Sequence, residues 1–71
     1  MPTSVEAQIA GRVFRIEVAV GDAVEPGTVV AVLESMKMEV PVEAPARGRV
    51  AAIRVREGDT VDEGDVLVEL S

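Results

Sequence analysis

Apolar and polar positions alternate with period two along much of the chain. Phe14, Ile16, Val18 and Val20 alternate with Arg15, Glu17 and Ala19, and Val66, Val68 and Leu70 alternate with Leu67 and Glu69. Period two is the pattern of strands with one face turned inward. Gly21-Asp22 and Gly58-Asp59 punctuate these runs, and Gly27 and Gly64 do so again six residues later. Glycine reaches positive φ in tight turns, and aspartate bonds to nearby backbone. Pro26, Pro41 and Pro45 disfavour long helices. One segment is ambiguous. In 29–40, Val29, Val32, Leu33, Met36 and Val40 also fit a helical stripe.

An internal repeat resolves that ambiguity. Residues 5–34 and 42–71 align without gaps at an offset of 37, with 14 identities in 30 positions. They include Gly11/Gly48, Val13/Val50, Ile16/Ile53, Val18/Val55, Gly21/Gly58, Gly27/Gly64 and Leu33/Leu70. Val29–Leu33 aligns with Val66–Leu70, which reads as a strand, so 29–40 is read as β as well. Two copies are too few for a solenoid, which needs three or more. A closed object with pseudo-twofold symmetry is expected, as one domain over 1–71 with halves at about 4–34 and 41–71. Val13, Ile16, Val18, Val50, Ile53 and Val55 occupy matched positions and most are expected in a shared core. Symmetry also places residues 34 and 41 in correspondence with 71 and 4. The termini should therefore meet at one pole, and the hairpin around residue 37 should form the opposite pole.

Composition narrows the chemistry. The chain has 71 residues, no Cys and no His. That removes disulfides, thiolate metal sites and the commonest general base. The net charge is −6 and Phe14 is the one aromatic residue, a poor match to nucleic acid. Met1-Pro2-Thr3-Ser4 does not read as a signal peptide, and no apolar run approaches the length of a membrane helix. A cytoplasmic monomer is expected. Asp59, Asp62, Glu63 and Asp65 miss the spacing of a calcium loop and read as a solvated, turn-rich edge rather than a metal site.

The joint between the repeats, Ser35-Met36-Lys37-Met38-Glu39-Val40, is the point of chemical interest. Lys37 is the one lysine; the other six basic residues are arginines. An amine can be deprotonated and acylated, whereas a guanidinium stays charged. Met36 and Met38 flank Lys37, and Glu34 and Glu39 add negative charge. A two-residue hairpin loop favours primed turns with positive φ. A tight Met36-Lys37 turn is therefore predicted, left-handed at one or both residues and enforced by pairing of Val29–Ser35 with Met38–Glu43. Such a turn would present the Lys37 side chain to solvent.

Glu34-Ser35-Met36-Lys37-Met38-Glu39 resembles the attachment signature of the biotinyl/lipoyl carrier family. Glu43-Ala44-Pro45-Ala46-Arg47-Gly48-Arg49-Val50 and Glu57-Gly58-Asp59-Thr60-Val61 are similar to other segments of that family, so the resemblance spans about residues 4–71. It implies an all-β flattened barrel, a barrel-sandwich hybrid of two four-stranded antiparallel sheets, with the target lysine on a hairpin tip. It further implies a stand-alone, non-catalytic biotin carrier. A biotin protein ligase would attach biotin to Lys37, with Met36 and Met38 as flanking recognition residues and Glu34, Ser35 and Glu39 as further contacts for the ligase. The biotin would then carry activated CO2 between a biotin carboxylase and a carboxyltransferase.

Two other readings share the fold. A lipoyl carrier would use the same lysine, but that family usually places Asp before it and Ala after it, where this chain has Met36 and Met38. A cofactor-free interaction module would not need the Met-Lys-Met core. A phosphopantetheine carrier is set aside, because it requires a helical bundle and an Asp-Ser-Leu serine, whereas Ser35 lies in Glu-Ser-Met within a β pattern.

Overall fold

The structure is a computed structural model and describes residues 2–71. Eight strands follow one another: β1 (Thr3–Glu6), β2 (Gly11–Ile16), β3 (Ala23–Val24), β4 (Val29–Ser35), β5 (Met38–Glu43), β6 (Gly48–Ile53), β7 (Thr60–Val61) and β8 (Val66–Leu70). The segment that also fitted a helical stripe is strand on both sides of the Met36–Lys37 turn. Among the described residues, no helix is long and apolar enough to cross a membrane.

The strands form two antiparallel four-stranded sheets, ordered β1-β8-β6-β3 and β5-β4-β2-β7. The offset of 37 converts one order into the other, so each sheet takes two strands from each repeat half. Neither half could close a sheet alone. The turns repeat as faithfully as the strands. Gly21 N–H donates to Val50 O and Gly58 N–H donates to Val13 O. The Ala19 N–H donates to Asp22 Oδ2 at 2.9 Å, and Arg56 N–H to Asp59 Oδ2 at 2.9 Å. Gly21 and Gly58 have φ of 98° and 96°, a left-handed backbone that side chains disfavour. Asp65 accepts from Asp62 N–H at 2.8 Å, so Asp59 and Asp65 of the acidic cluster cap turns.

The core is aliphatic: Val5, Val13, Val24, Val30, Ala31 and Leu33 with their counterparts Val42, Val50, Val61, Leu67, Val68 and Leu70, plus Ala7 and Ala44. Four β-bulges shape it. The registers pass from Val29↔Glu43 to Ala31↔Val42, and from Val5↔Val68 to Glu6↔Val66. The extra residues, Val30 and Leu67, let two successive side chains in each strand enter the core, where strict alternation would allow one.

The other two bulges correct the sequence reading. Val13 pairs with Leu33 and Arg15 with Val32, leaving Phe14 as the extra residue; Ala51 is its counterpart. The bulge resets the alternation, so Val13 and Val50 are buried while Phe14 is 44% exposed. Val20, placed on the same inward face by period two, lies in a turn and is also exposed. Ile16, Val18, Ile53 and Val55 are only partly buried, packed against the core from its margin.

Candidate functional site

Strands β4 and β5 run in register toward the tip, with Leu33↔Val40, Glu34↔Glu39 and Ser35↔Met38. Ser35 and Met38 close a two-residue loop, Met36 at φ 52° and Lys37 at φ 67°. Positive φ at both positions is the type I′ condition, whose twist matches that of the flanking strands. Neither residue is Gly or Asn, so each left-handed backbone costs about 1–3 kcal/mol and is held by its surroundings. The surroundings are the β4–β5 ladder and the buried anchor Leu33. The turn predicted from sequence is therefore present, at both residues.

Lys37 is exposed and takes part in none of the ion pairs or side-chain hydrogen bonds among the described residues. Met36 is 92% exposed and Met38 66%. Methionines this exposed contribute little to the core; they offer a soft, polarizable apolar surface on both sides of the amine. Glu34 and Glu39 are exposed and directly opposite, a like-charge pair that is locally unfavourable. Arg12 lies opposite Glu34 on its other side, in β2. Ser35 is half-buried at the base of the loop. The six residues singled out from sequence, Glu34 to Glu39, thus share one tip.

Two nearby features escaped the sequence reading. Gly11 was noted as a repeat identity, but not as a contact. A Cβ at Gly11 would lie 2.7 Å from the Glu34 carbonyl oxygen, so only glycine lets β2 run this close beneath the tip. Its counterpart Gly48 meets the Ser71 carbonyl oxygen at 2.8 Å. A shallow recess beside the tip is lined by Arg12, Val13, Phe14, Glu34 and Gly58, with a volume of about 230 Å³.

An unengaged amine on a rigid tip suits an acyl group joined through an amide. Such a bond needs a reachable nitrogen and no enclosing cavity, and the Lys37 turn provides that. No histidine or cysteine exists to act beside it.

The family model described as "Biotin-requiring enzyme" (Biotin_lipoyl) matches residues 1–70. The chain is 50% identical over 38 residues to the "Biotin/lipoyl attachment protein" of Bacillus subtilis (strain 168), covering 54% of this chain and 52% of that one. It is 46% identical over 41 residues to "Biotinylated protein TB7.3" of Mycobacterium tuberculosis (strain ATCC 25618 / H37Rv), 58% of each chain. The matches thus span just over half the length of these relatives. Among solved structures, the fold superposes on Kluyveromyces lactis urea carboxylase with a TM-score of 0.94 and 34% identity, covering 100% of this chain and 6% of that one. It also superposes on a single-chain, multi-domain long-chain acyl-CoA carboxylase, with a TM-score of 0.89, 32% identity, and 96% and 7% coverage.

Proposed function

Because the chain belongs to the biotin/lipoyl attachment domain family, we propose that it is a biotin carrier and that Lys37 is its site of attachment. The observation that carries this reading is the sole lysine of the chain, exposed and unengaged on a left-handed two-residue turn. A biotin protein ligase is the modifying partner. The deprotonated Lys37 Nζ attacks the acyl carbon of biotinyl-adenylate; an amide forms, AMP leaves and the nitrogen gives up a proton. Met36 and Met38 give the ligase apolar contacts beside the amine, and Glu34, Ser35 and Glu39 give it polar ones.

When bound, biotin supplies a ring nitrogen that accepts and gives up CO2. The chain does no bond-making in that exchange. Its β4–β5 ladder holds the tip rigid, and tethering raises the local concentration of the group at a biotin carboxylase and a carboxyltransferase. The structural likeness to two carboxylases supports this choice over a 2-oxoacid dehydrogenase. The Met residues on both sides of Lys37 favour biotin over lipoate. A cytoplasmic setting, where the ligase and ATP would meet the carrier, is part of the same proposal.

Incubation with a purified biotin protein ligase, ATP and biotin tests the assignment by intact mass. The parent should gain one biotinyl group, and Lys37→Arg should gain none while melting as the parent does. A biotinyl adduct on Lys37→Arg, or a lipoyl adduct alone on the natively expressed chain, overturns it.

A further inference from the structure

The repeat supplies an internal comparison for the molecular surface, because matched positions share fold and register and can be compared face by face. On the outer face of the sheet that carries Lys37, one row runs Arg15↔Val32↔Pro41 across β2, β4 and β5. Phe14 adjoins it, with the Arg15 guanidinium 5.5 Å from its ring centroid. Val32 lies between Ala31 and Leu33, both fully buried, so it faces outward. The matching row of the other sheet is Ala52↔Glu69↔Ser4, beside Ala51. Fold and register are the same, yet the aromatic residue and the valine have become alanine and glutamate. Phe14 and Pro41 are exposed and Val32 is half-buried, and all three lie outside a core already closed beneath them. The apolar strip belongs to one sheet, the one that ends in the lysine.

We infer that Phe14, Val32 and Pro41 form a docking face for the biotin protein ligase. This rests on the carrier reading given above. The lysine stem has only four carbons, so a ligase acylating its nitrogen must press against the body of the domain. A carboxylase reaches the group through a longer arm and need not do so. A standard interface covers about 800 Å² per partner, a disc of roughly 16 Å radius. The molecule measures 33 × 18 × 18 Å, so such a footprint centred on the tip must spread down one outer face. Glu34 is about 10 Å of strand from Lys37 and shares the recess with Phe14. Glu34, Glu39 and Glu43 rim the strip and are all exposed. The matching ligase surface is an apolar floor whose rim offers cations to these carboxylates and acceptors to Arg12 and Arg15 on the β2 side. Aromatic residues, Phe among them, are enriched at the centre of such contacts and the rim is polar.

Initial rates of biotin attachment against carrier concentration test the face, with purified ligase, ATP and biotin. Phe14→Ser should raise KM about tenfold and Pro41→Ser about threefold, with kcat near that of the parent. Both residues are exposed, so both variants should melt as the parent does. Arg54→Ser, just beyond β6 and paired with Glu69 of the opposite sheet, should leave KM unchanged. An unchanged KM for Phe14→Ser and Pro41→Ser overturns the docking face and leaves the carrier reading standing. An equal rise for Arg54→Ser, or a parent dimer that Phe14→Ser disperses, also overturns it. A parent that the ligase does not label overturns both the face and the carrier reading.

Discussion

The two poles of the molecule are built to one plan and put to different uses. At one, β4 ends over Gly11, which meets the Glu34 carbonyl at 2.7 Å; at the other, β8 ends over Gly48, which meets the Ser71 carbonyl at 2.8 Å. Thr3 pairs with Leu70 at the second pole, bringing the first and last strands together as expected. At the first pole, the chain instead turns through Met36 and Lys37 and returns as β5. The repeat therefore provides rigidity twice, and the six-residue joint provides chemistry once. Several local rules fail together at that tip: non-glycine residues take left-handed backbone, methionines face water and Glu34 faces Glu39. Conflicts of this kind concentrate where function is selected.

If the poles are equivalent scaffolds, matched core residues should matter equally. Leu33 and Leu70 are both fully buried and correspond across the repeat. Leu33→Ala and Leu70→Ala should each cost about 2–5 kcal/mol, a large part of the stability of a domain this small. Urea unfolding measures both. A difference above about 2 kcal/mol would show that one sheet carries the fold and break the equivalence.

The glycines separate scaffold from chemistry. Gly11→Ala and Gly48→Ala each force a Cβ against a carbonyl oxygen and should each cost about 1–3 kcal/mol. Only Gly11→Ala displaces Glu34, and with it the base of the Lys37 turn. It should slow biotin attachment several-fold, measured at a temperature where both variants are folded, while Gly48→Ala leaves the rate unchanged. Equal slowing would mean that general loosening, not tip geometry, controls attachment.

Part of this was legible in the sequence: the repeat of turn glycines and valines implied a closed pseudo-twofold β domain, and the family resemblance implied its two four-stranded sheets, while the strand order came from the structure. The tip was legible as well: a two-residue gap between strands requires a primed turn whatever fills it. The bulges were not. An extra residue at Phe14 or Val30 changes neither composition nor spacing of the turns, yet shifts which side chains face inward; period two therefore put Phe14 on one face with Ile16 and Val18, and the expected core overrated Ile16, Val18, Ile53 and Val55. The close approach at Gly11 was also hidden, since a glycine kept for backbone contact reads the same as one kept for a turn. The outer strip at Val32 and Pro41 became visible only once register showed which residues are neighbours.

The smallest expected effect sharpens the comparison of the two outer faces. Where the lysine-bearing sheet has Val32, the other has Glu69, and Arg54 Nε meets Glu69 Oε2 at 2.6 Å. The hydrogen bond from Arg54, with its positive charge, holds the Glu69 carboxyl below its ordinary range, and Glu69 in turn raises the Arg54 guanidinium. A carboxyl with a lowered folded-state pKa stabilises the fold at pH values above its unfolded pKa. That stabilisation is lost as pH falls through the lowered folded value. Both groups are solvated, so the contribution is slight and screened by salt. Glu69→Gln should lower the melting temperature by about a degree near pH 7 in low salt. The deficit should shrink below pH 4 and in high salt, without any change in biotin attachment. An attachment rate that follows the charge at Glu69 would place the partner on this sheet as well, and the asymmetry between the two faces would lose its functional meaning.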